Sequence, residues 1–208
     1  MKIPYITKQQ MTEVDRLMIN KYKISVTQMM ELAGFNTAVL TQRLLATAKT
    51  SSIKNKNITI IAGKGNNGGD GICAARYLYN WGAKVTLFLV TDDLKKEPLH
   101  HLQIAKKTNI DIIKSFPQLQ SALKSSDIII DALLGYNLKG DPRGRFARAI
   151  EYINESNKTV LSIDIPSGQS AEGLCSEPCT QATYTICLSL PKLGSKKGNF
   201  GDTYVADM

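Results

Sequence analysis

Between residues 58 and 188 short β-branched runs alternate with amphipathic stretches, and few folds accept that order. Strands are expected at 58–62, 84–90, 111–113, 127–132, 159–164 and 183–188, with helices between them at 71–81, 99–108, 117–124 and 146–155. Strands joined through helices run parallel, and helices then cover both faces of the sheet. Ile128-Ile129-Ile130 and Val85-Thr86-Leu87-Phe88-Leu89-Val90 are nearly unbroken apolar runs, as central strands buried on both sides require. Two helices precede this region, at 9–22 and 27–48. Their apolar residues (Met11, Val14, Leu17, Met18; then Met29, Met30, Ala33, Val39, Leu40, Leu44, Leu45) recur at three and four spacing, so each is expected to lay a stripe on a core. Thr27 or Ser25 would cap the second helix. A polar linker is expected at 49–57, and the tail from Pro191 to Met208 reads as a loop and an edge strand closing the sheet.

Composition narrows the class. At 208 residues, 43% of them hydrophobic, the chain suits one substantial α/β domain over 1–208 and leaves no room for a second catalytic one. No apolar run approaches the roughly 18 residues of a membrane span. The start, Met1-Lys2-Ile3-Pro4, lacks the apolar core of a secretory signal, so a soluble cytoplasmic protein with no membrane partner is expected. The net charge of +8 is scattered over lysines such as Lys54, Lys95, Lys106 and Lys192. A nucleic-acid module concentrates its basic residues, so none is expected as a partner, although this surface would attract a dinucleotide. Cys73, Cys175, Cys179 and Cys187 lack metal-site spacing and read as free thiols, with oxidation of Cys175 and Cys179 as the alternative, and His100 and His101 read as exposed polar residues at a helix start.

Residues 58–71 run an apolar strand straight into Gly63-Lys64-Gly65-Asn66-Asn67-Gly68-Gly69-Asp70-Gly71. The glycines read as permitting positive φ and close approach of backbone to a ligand. A phosphate cradle needs little beyond glycine and free N–H groups, whereas Asn66, Asn67 and Asp70 add acceptors and amide donors. In an open parallel sheet ligands bind beyond the carboxyl ends of the strands, where two further acidic ends fall, Asp131 and Asp164. Carboxylates gathered at one edge repel one another unless a positive partner intervenes. Asn67, Asp131 and Ser167 offer hard oxygen ligands of low formal charge, a set better suited to a large monovalent cation than to magnesium. The segment also satisfies Gly-x-Gly-x-x-Gly, with Asp92 and Asp93 near the position of a ribose-binding acid, so a nicotinamide-dependent oxidoreductase is an alternative. That reading gives no role to Asn66, Asn67 and Asp70.

Three blocks, Gly65-Asn66-Asn67-Gly68-Gly69-Asp70-Gly71, Asp131-Ala132-Leu133-Leu134-Gly135-Tyr136-Asn137-Leu138-Lys139-Gly140 and Asp164-Ile165-Pro166-Ser167-Gly168, resemble the signatures of the YjeF N-terminal domain family. The likeness extends from Met30-Glu31-Leu32-Ala33-Gly34 to Leu190-Pro191-Lys192-Leu193-Gly194. It implies a Rossmann-like three-layer αβα sandwich, often dimeric, with one potassium ion per subunit. The implied activity is NAD(P)H-hydrate epimerase, which interconverts the R and S forms of the hydrated cofactors NADHX and NADPHX. Carried over by position, the resemblance gives Asn67, Asp131 and Ser167 to potassium. It gives substrate to Asn66, Asn67, Gly68, Gly69, Asp70, Gly135, Tyr136, Asn137, Leu138, Lys139, Gly140, Asp141 and Asp164, with Asp164 as the catalytic carboxylate. Leu32 stands where the family block has asparagine, and Asp141-Pro142-Arg143-Gly144 is variant loop sequence. Some family members carry a fused dehydratase domain, which this length excludes, so a separate dehydratase is the implied functional partner. The alternative class is a noncatalytic nucleotide- or protein-binding module of the same fold.

Overall fold

The computed structural model describes residues 3–47, 50–138 and 140–208. Met1, Lys2, the expected helix end at Ala48, the linker start at Lys49 and the expected substrate contact Lys139 lie outside the described residues. Seven strands form one sheet in the order β3-β2-β1-β4-β5-β6-β7, and every pairing is parallel. They are β1 (Asn57–Ala62), β2 (Lys84–Leu89), β3 (Asp111–Ile113), β4 (Ile128–Ala132), β5 (Val160–Ile163), β6 (Tyr184–Leu188) and β7 (Asp202–Ala206). The helices are α1 (Lys8–Asn20), α2 (Val26–Leu45), α3 (Asn66–Asn80), α4 (Lys96–Ala105), α5 (Phe116–Ser125) and α6 (Arg145–Glu155).

The three layers follow from which face each strand residue presents. Ile58, Ile60, Leu87 and Ile130 pack with Leu40 of α2, Ile72 and Leu78 of α3 and Leu102 of α4. Ile61, Phe88 and Ile129 point the other way, onto Leu119 and Leu123 of α5 and Ile150 and Ile153 of α6. The connection after β1 leads outward to β2, and the one after β4 leads to β5 on the opposite side. The sheet therefore changes direction between β1 and β4, and a crevice opens there beyond the strand ends. Asn67 and Asp131 flank that point.

Several elements differ from expectation, each for a physical reason. Helix α3 begins at Asn66 rather than 71, so the asparagine block is its first turn. None of Gly63, Gly65, Gly68, Gly69 or Gly71 has positive φ. All but Gly65 are needed for contact instead: a Cβ on Gly63 would fall on the Leu133 carbonyl oxygen, one on Gly68 on the Gly63 carbonyl, one on Gly69 on the Met30 thioether, and one on Gly71 would lie 2.5 Å from Ala132 Cβ. Of the two expected caps of α2, Ser25 is the one used, in a reciprocal box with Gln28. Helix α1 buries Met11 alone of the expected stripe, leaves Val14, Leu17 and Met18 half-buried, and sends Met11, Asp15 and Ile19 to the crevice. Cys175 and Cys179 are joined as a disulfide rather than free, in the long connection from β5 to β6. His101 is buried rather than exposed, because α4 starts at Lys96 and sets Pro98, His101, Leu102 and Ala105 on one inward face. No helix among the described residues is long and apolar enough to cross a membrane.

Candidate active site

A cavity of about 870 Å³ occupies the crevice, within the range usual for small-molecule sites. Asn66, Asn67, Asp70, Gly135, Tyr136, Asn137, Leu138, Asp141 and Asp164, which the resemblance gives to substrate, all line it. Gly68 and Gly69 lie behind the wall, where Gly68 meets Gly63 and Gly69 meets the Met30 thioether. Gly140 has positive φ and does not line the cavity.

Asp131 and Ser167 form a buried post beneath the wall. Both are fully buried. Asp131 Oδ1 accepts from Ser167 Oγ at 2.5 Å and from Leu133 N at 3.2 Å, and its Oδ2 accepts from Ser167 N at 2.8 Å and Ser162 Oγ at 2.9 Å. Ser162 follows from register, since it sits beside Asp131 across the β4–β5 pair. Burial pushes the Asp131 carboxyl up, against the pull of these hydrogen bonds. The Ser167 hydroxyl also accepts from Leu134 N at 2.9 Å. The Asn67 side chain packs against Gly135, one residue along the same segment, and both polar atoms of its carboxamide are buried without a hydrogen-bond partner. An unpaired buried amide costs on the order of 1–3 kcal/mol, so the position points to something bound there.

Asp164 is presented by backbone strain. It follows β5 with φ +66°, at the apex of a three-residue turn closed by Ile165 N donating to Ile163 O at 2.8 Å. Ser189, after β6, repeats the device with φ +61° and Leu190 N donating to Leu188 O at 2.8 Å. Turns of this kind are uncommon and strained, and such strain persists where the surroundings hold it for a purpose. Here it swings Asp164 off the strand and into the cavity. Its Oδ1 accepts from Leu188 N at 3.3 Å and from the Lys192 ammonium, which also donates to Leu188 O at 3.3 Å. Among the described residues nothing donates to Oδ2.

Three cavity groups carry no signal at the level of local sequence. Lys192 is fully buried, pairs with Asp164 and lies 5.7 Å from the centre of the Tyr136 ring. Asp15, on α1, accepts from Tyr136 Oη at 2.6 Å across 121 residues of sequence. Burial raises the Asp15 carboxyl, and burial together with Asp15 raises the Tyr136 phenol. The third group is basic: Lys64, Lys95 and Arg143 line the cavity, as do Asn66 and Asn67 of the first turn of α3, which has no side-chain cap. Free N–H groups at a helix start together with three cations suit phosphate. Asp70 faces the carboxylates: burial first, then the charges of Asp164 and Asp15, push its carboxyl well above the usual range. Asp92, one of the two acids offered by the oxidoreductase reading, pairs with Lys114 at 2.5 Å on the surface.

Residues 26–194 match the family described as YjeF-related protein N-terminus. The chain belongs to this family. It is 36% identical over 194 residues to an NAD(P)H-hydrate epimerase of Entamoeba histolytica, covering 92% of this chain and 82% of that protein. It is also 36% identical over 208 residues to one of Dehalogenimonas lykanthroporepellens, covering 98% and 81%. A bifunctional NAD(P)H-hydrate repair enzyme of Moorella thermoacetica is 34% identical over 197 residues, and the chain spans 36% of that relative's length. The crystal structure of the yeast protein ynu0 superposes with a TM-score of 0.84 at 26% identity, covering 98% of this chain and 88% of that one. The family's helical block departs here at Leu32, which is 40% exposed on α2 and does not line the cavity, so the departure removes no contact at the site.

Proposed function

We propose that the chain is an NAD(P)H-hydrate epimerase acting on NADHX and NADPHX in this cavity. The observation that carries the reading is the pair Asp164 and Asp70, which line one cavity with a basic phosphate-binding rim: one carboxylate is held in an ion pair with Lys192, and burial beside Asp164 and Asp15 pushes the other carboxyl up. Two carboxyls with divergent environments are the usual arrangement of an acid and a base. The hydrated carbon bears a hydroxyl and the ring nitrogen. Protonated Asp70 gives its proton to the departing hydroxyl, the nitrogen lone pair expels water, and a planar iminium remains. Water then returns to either face while Asp164 removes its proton, and passage of that proton back to Asp70 through water in the cavity resets both carboxyls, so configuration is scrambled with no net change in substrate or enzyme.

Asn67, Asp131 and Ser167 fit a potassium ion. Their donors are all oxygen, Asp131 is a fully buried acid with no cation beside it among the described residues, and the Asn67 carboxamide oxygen has no partner. When bound, the ion would supply positive charge that relieves repulsion among Asp131, Asp70, Asp15 and Asp164. A separate dehydratase would consume the S product, a division that the bifunctional relative's name supports.

The test is to resolve the R and S epimers chromatographically and follow their equilibration. Protein is expected to accelerate it well beyond the spontaneous rate. Replacing potassium with tetramethylammonium is expected to slow it, and Asn67→Leu to abolish that response. Spontaneous rates in the presence of folded protein would favour the binding-module reading.

Asp70 adds a pH dependence. Because its proton is held above the usual carboxylate range, kcat/KM is expected to fall as pH rises through that raised value. In Asp70→Asn, which cannot give up a proton, that alkaline limb should vanish and the rate should drop by about 10²–10⁴-fold. An unchanged alkaline limb in Asp70→Asn would assign the acid elsewhere.

A further inference from the structure

We infer that Glu31, Cys73 and His101 form a binding site for one Zn²⁺ ion where α2, α3 and α4 meet. The three come from α2, α3 and α4, and none lines the cavity. Their ligand atoms all lie within 4.8 Å of one another. Cys73 Sγ is 3.5 Å from Glu31 Oε2, and His101 Nδ1 is 3.8 Å from Glu31 Oε1. A tetrahedral zinc with bonds of about 2.0–2.3 Å spaces its ligands roughly 3.4–3.6 Å apart, so modest side-chain rotation closes the set.

The second observation is His101 itself. Its residue exposure is 2%, and neither ring nitrogen has a hydrogen-bond partner. An imidazole buried in this state forfeits the bonds it makes in water, and a metal is the partner that takes its lone pair. One sulfur, one nitrogen and one carboxylate oxygen make a mixed set that suits zinc and not magnesium or calcium. Arg76 donates to Glu31 Oε2 at 2.5 Å, as does Tyr77 Oη at 2.9 Å, which fixes the carboxylate with Oε1 toward His101. Thiolate and carboxylate would balance the ion's two charges, so Arg76 need not leave. The part-exposed Glu31 gives the ion its entry and leaves room for water as a fourth ligand.

Burial and the neighbouring Glu31 raise the Cys73 thiol, so the metal must displace its proton and binding should strengthen with pH. The consequence is mechanical. Helix α3 opens with Asn66, Asn67 and Asp70, and an ion tied to Cys73 would clamp that helix to its two neighbours.

The experiment titrates the full chain, its Cys175–Cys179 disulfide intact, with Co²⁺ as a spectroscopic probe in a noncoordinating buffer. One equivalent is expected to produce sulfur-to-cobalt charge-transfer absorption that Zn²⁺ abolishes. The band should be absent in Cys73→Ser and retained in Cys187→Ser, and affinity should fall by about 10–100-fold or more in Glu31→Gln and His101→Ala. X-ray absorption of the zinc-loaded, unaltered chain needs no variant and should find one sulfur neighbour at about 2.3 Å among nitrogen and oxygen ones. No band at saturating Co²⁺, a band that survives Cys73→Ser, or a zinc ion without a sulfur neighbour would overturn the inference. None of these readouts involves epimerisation, so they stand apart from the proposed activity.

Discussion

Replacing Asp164 by asparagine is expected to lower epimerisation by about 10²–10⁴-fold, the usual worth of a positioned proton-transfer group. The substitution suits the question because asparagine tolerates the left-handed backbone that Asp164 adopts at φ +66°. Its side-chain oxygen still accepts from Leu188 N and from Lys192, so the turn keeps its hydrogen bonds. What is lost is the oxygen without a donor, the one able to take a proton from incoming water. The loss is therefore expected in kcat with KM little altered, measured by chromatographic equilibration at several substrate concentrations. Substrate binding can be checked separately by calorimetry. An Asp164→Asn protein that binds substrate and epimerises at the wild-type rate would remove Asp164 from the chemistry.

The sheet was legible because its strands are apolar runs of β-branched residues, and the alternation with helices left only a parallel arrangement. The acidic strand ends were legible for the same reason: Asp131 and Asp164 are the polar residues at which such runs stop. The start of α3 was not. Glycines at 63, 65, 68, 69 and 71 read as a turn, and only the packed structure shows that the missing Cβ makes room for Leu133 at Gly63, for the Gly63 carbonyl at Gly68, for Met30 at Gly69 and for Ala132 at Gly71. Spacing held part of that information, since Gly68 and Gly71 sit three apart on one helix face. For His101, the same spacing with Pro98, Leu102 and Ala105 marks a buried face. Asp15 offered nothing of the kind, because its partner Tyr136 is 121 residues away and joins it only through the fold. The pairing of Asp164 with Lys192 is equally nonlocal, and the turn that aims Asp164 is a backbone event without a residue signature.

Lys192→Met is expected to destabilise the fold by about 3–5 kcal/mol, the cost of stranding one member of a buried ion pair. For a chain of this size that corresponds to a melting temperature lower by roughly 6–20 °C, read by calorimetry. Methionine matches the length of the lysine stem, so little packing is lost, and the cost falls on Asp164, left among buried groups without its counter-charge. Pairing the change with Asp164→Asn separates charge from shape. The double variant removes the stranded carboxylate, keeps the acceptor for Leu188 N, and is expected to recover most of the lost stability. It should recover none of the activity, because the proton-transfer group is gone. A double variant as unstable as Lys192→Met alone would mean that Lys192 acts through its packed stem. One that regained epimerisation would mean that the buried pair serves the fold and not the reaction.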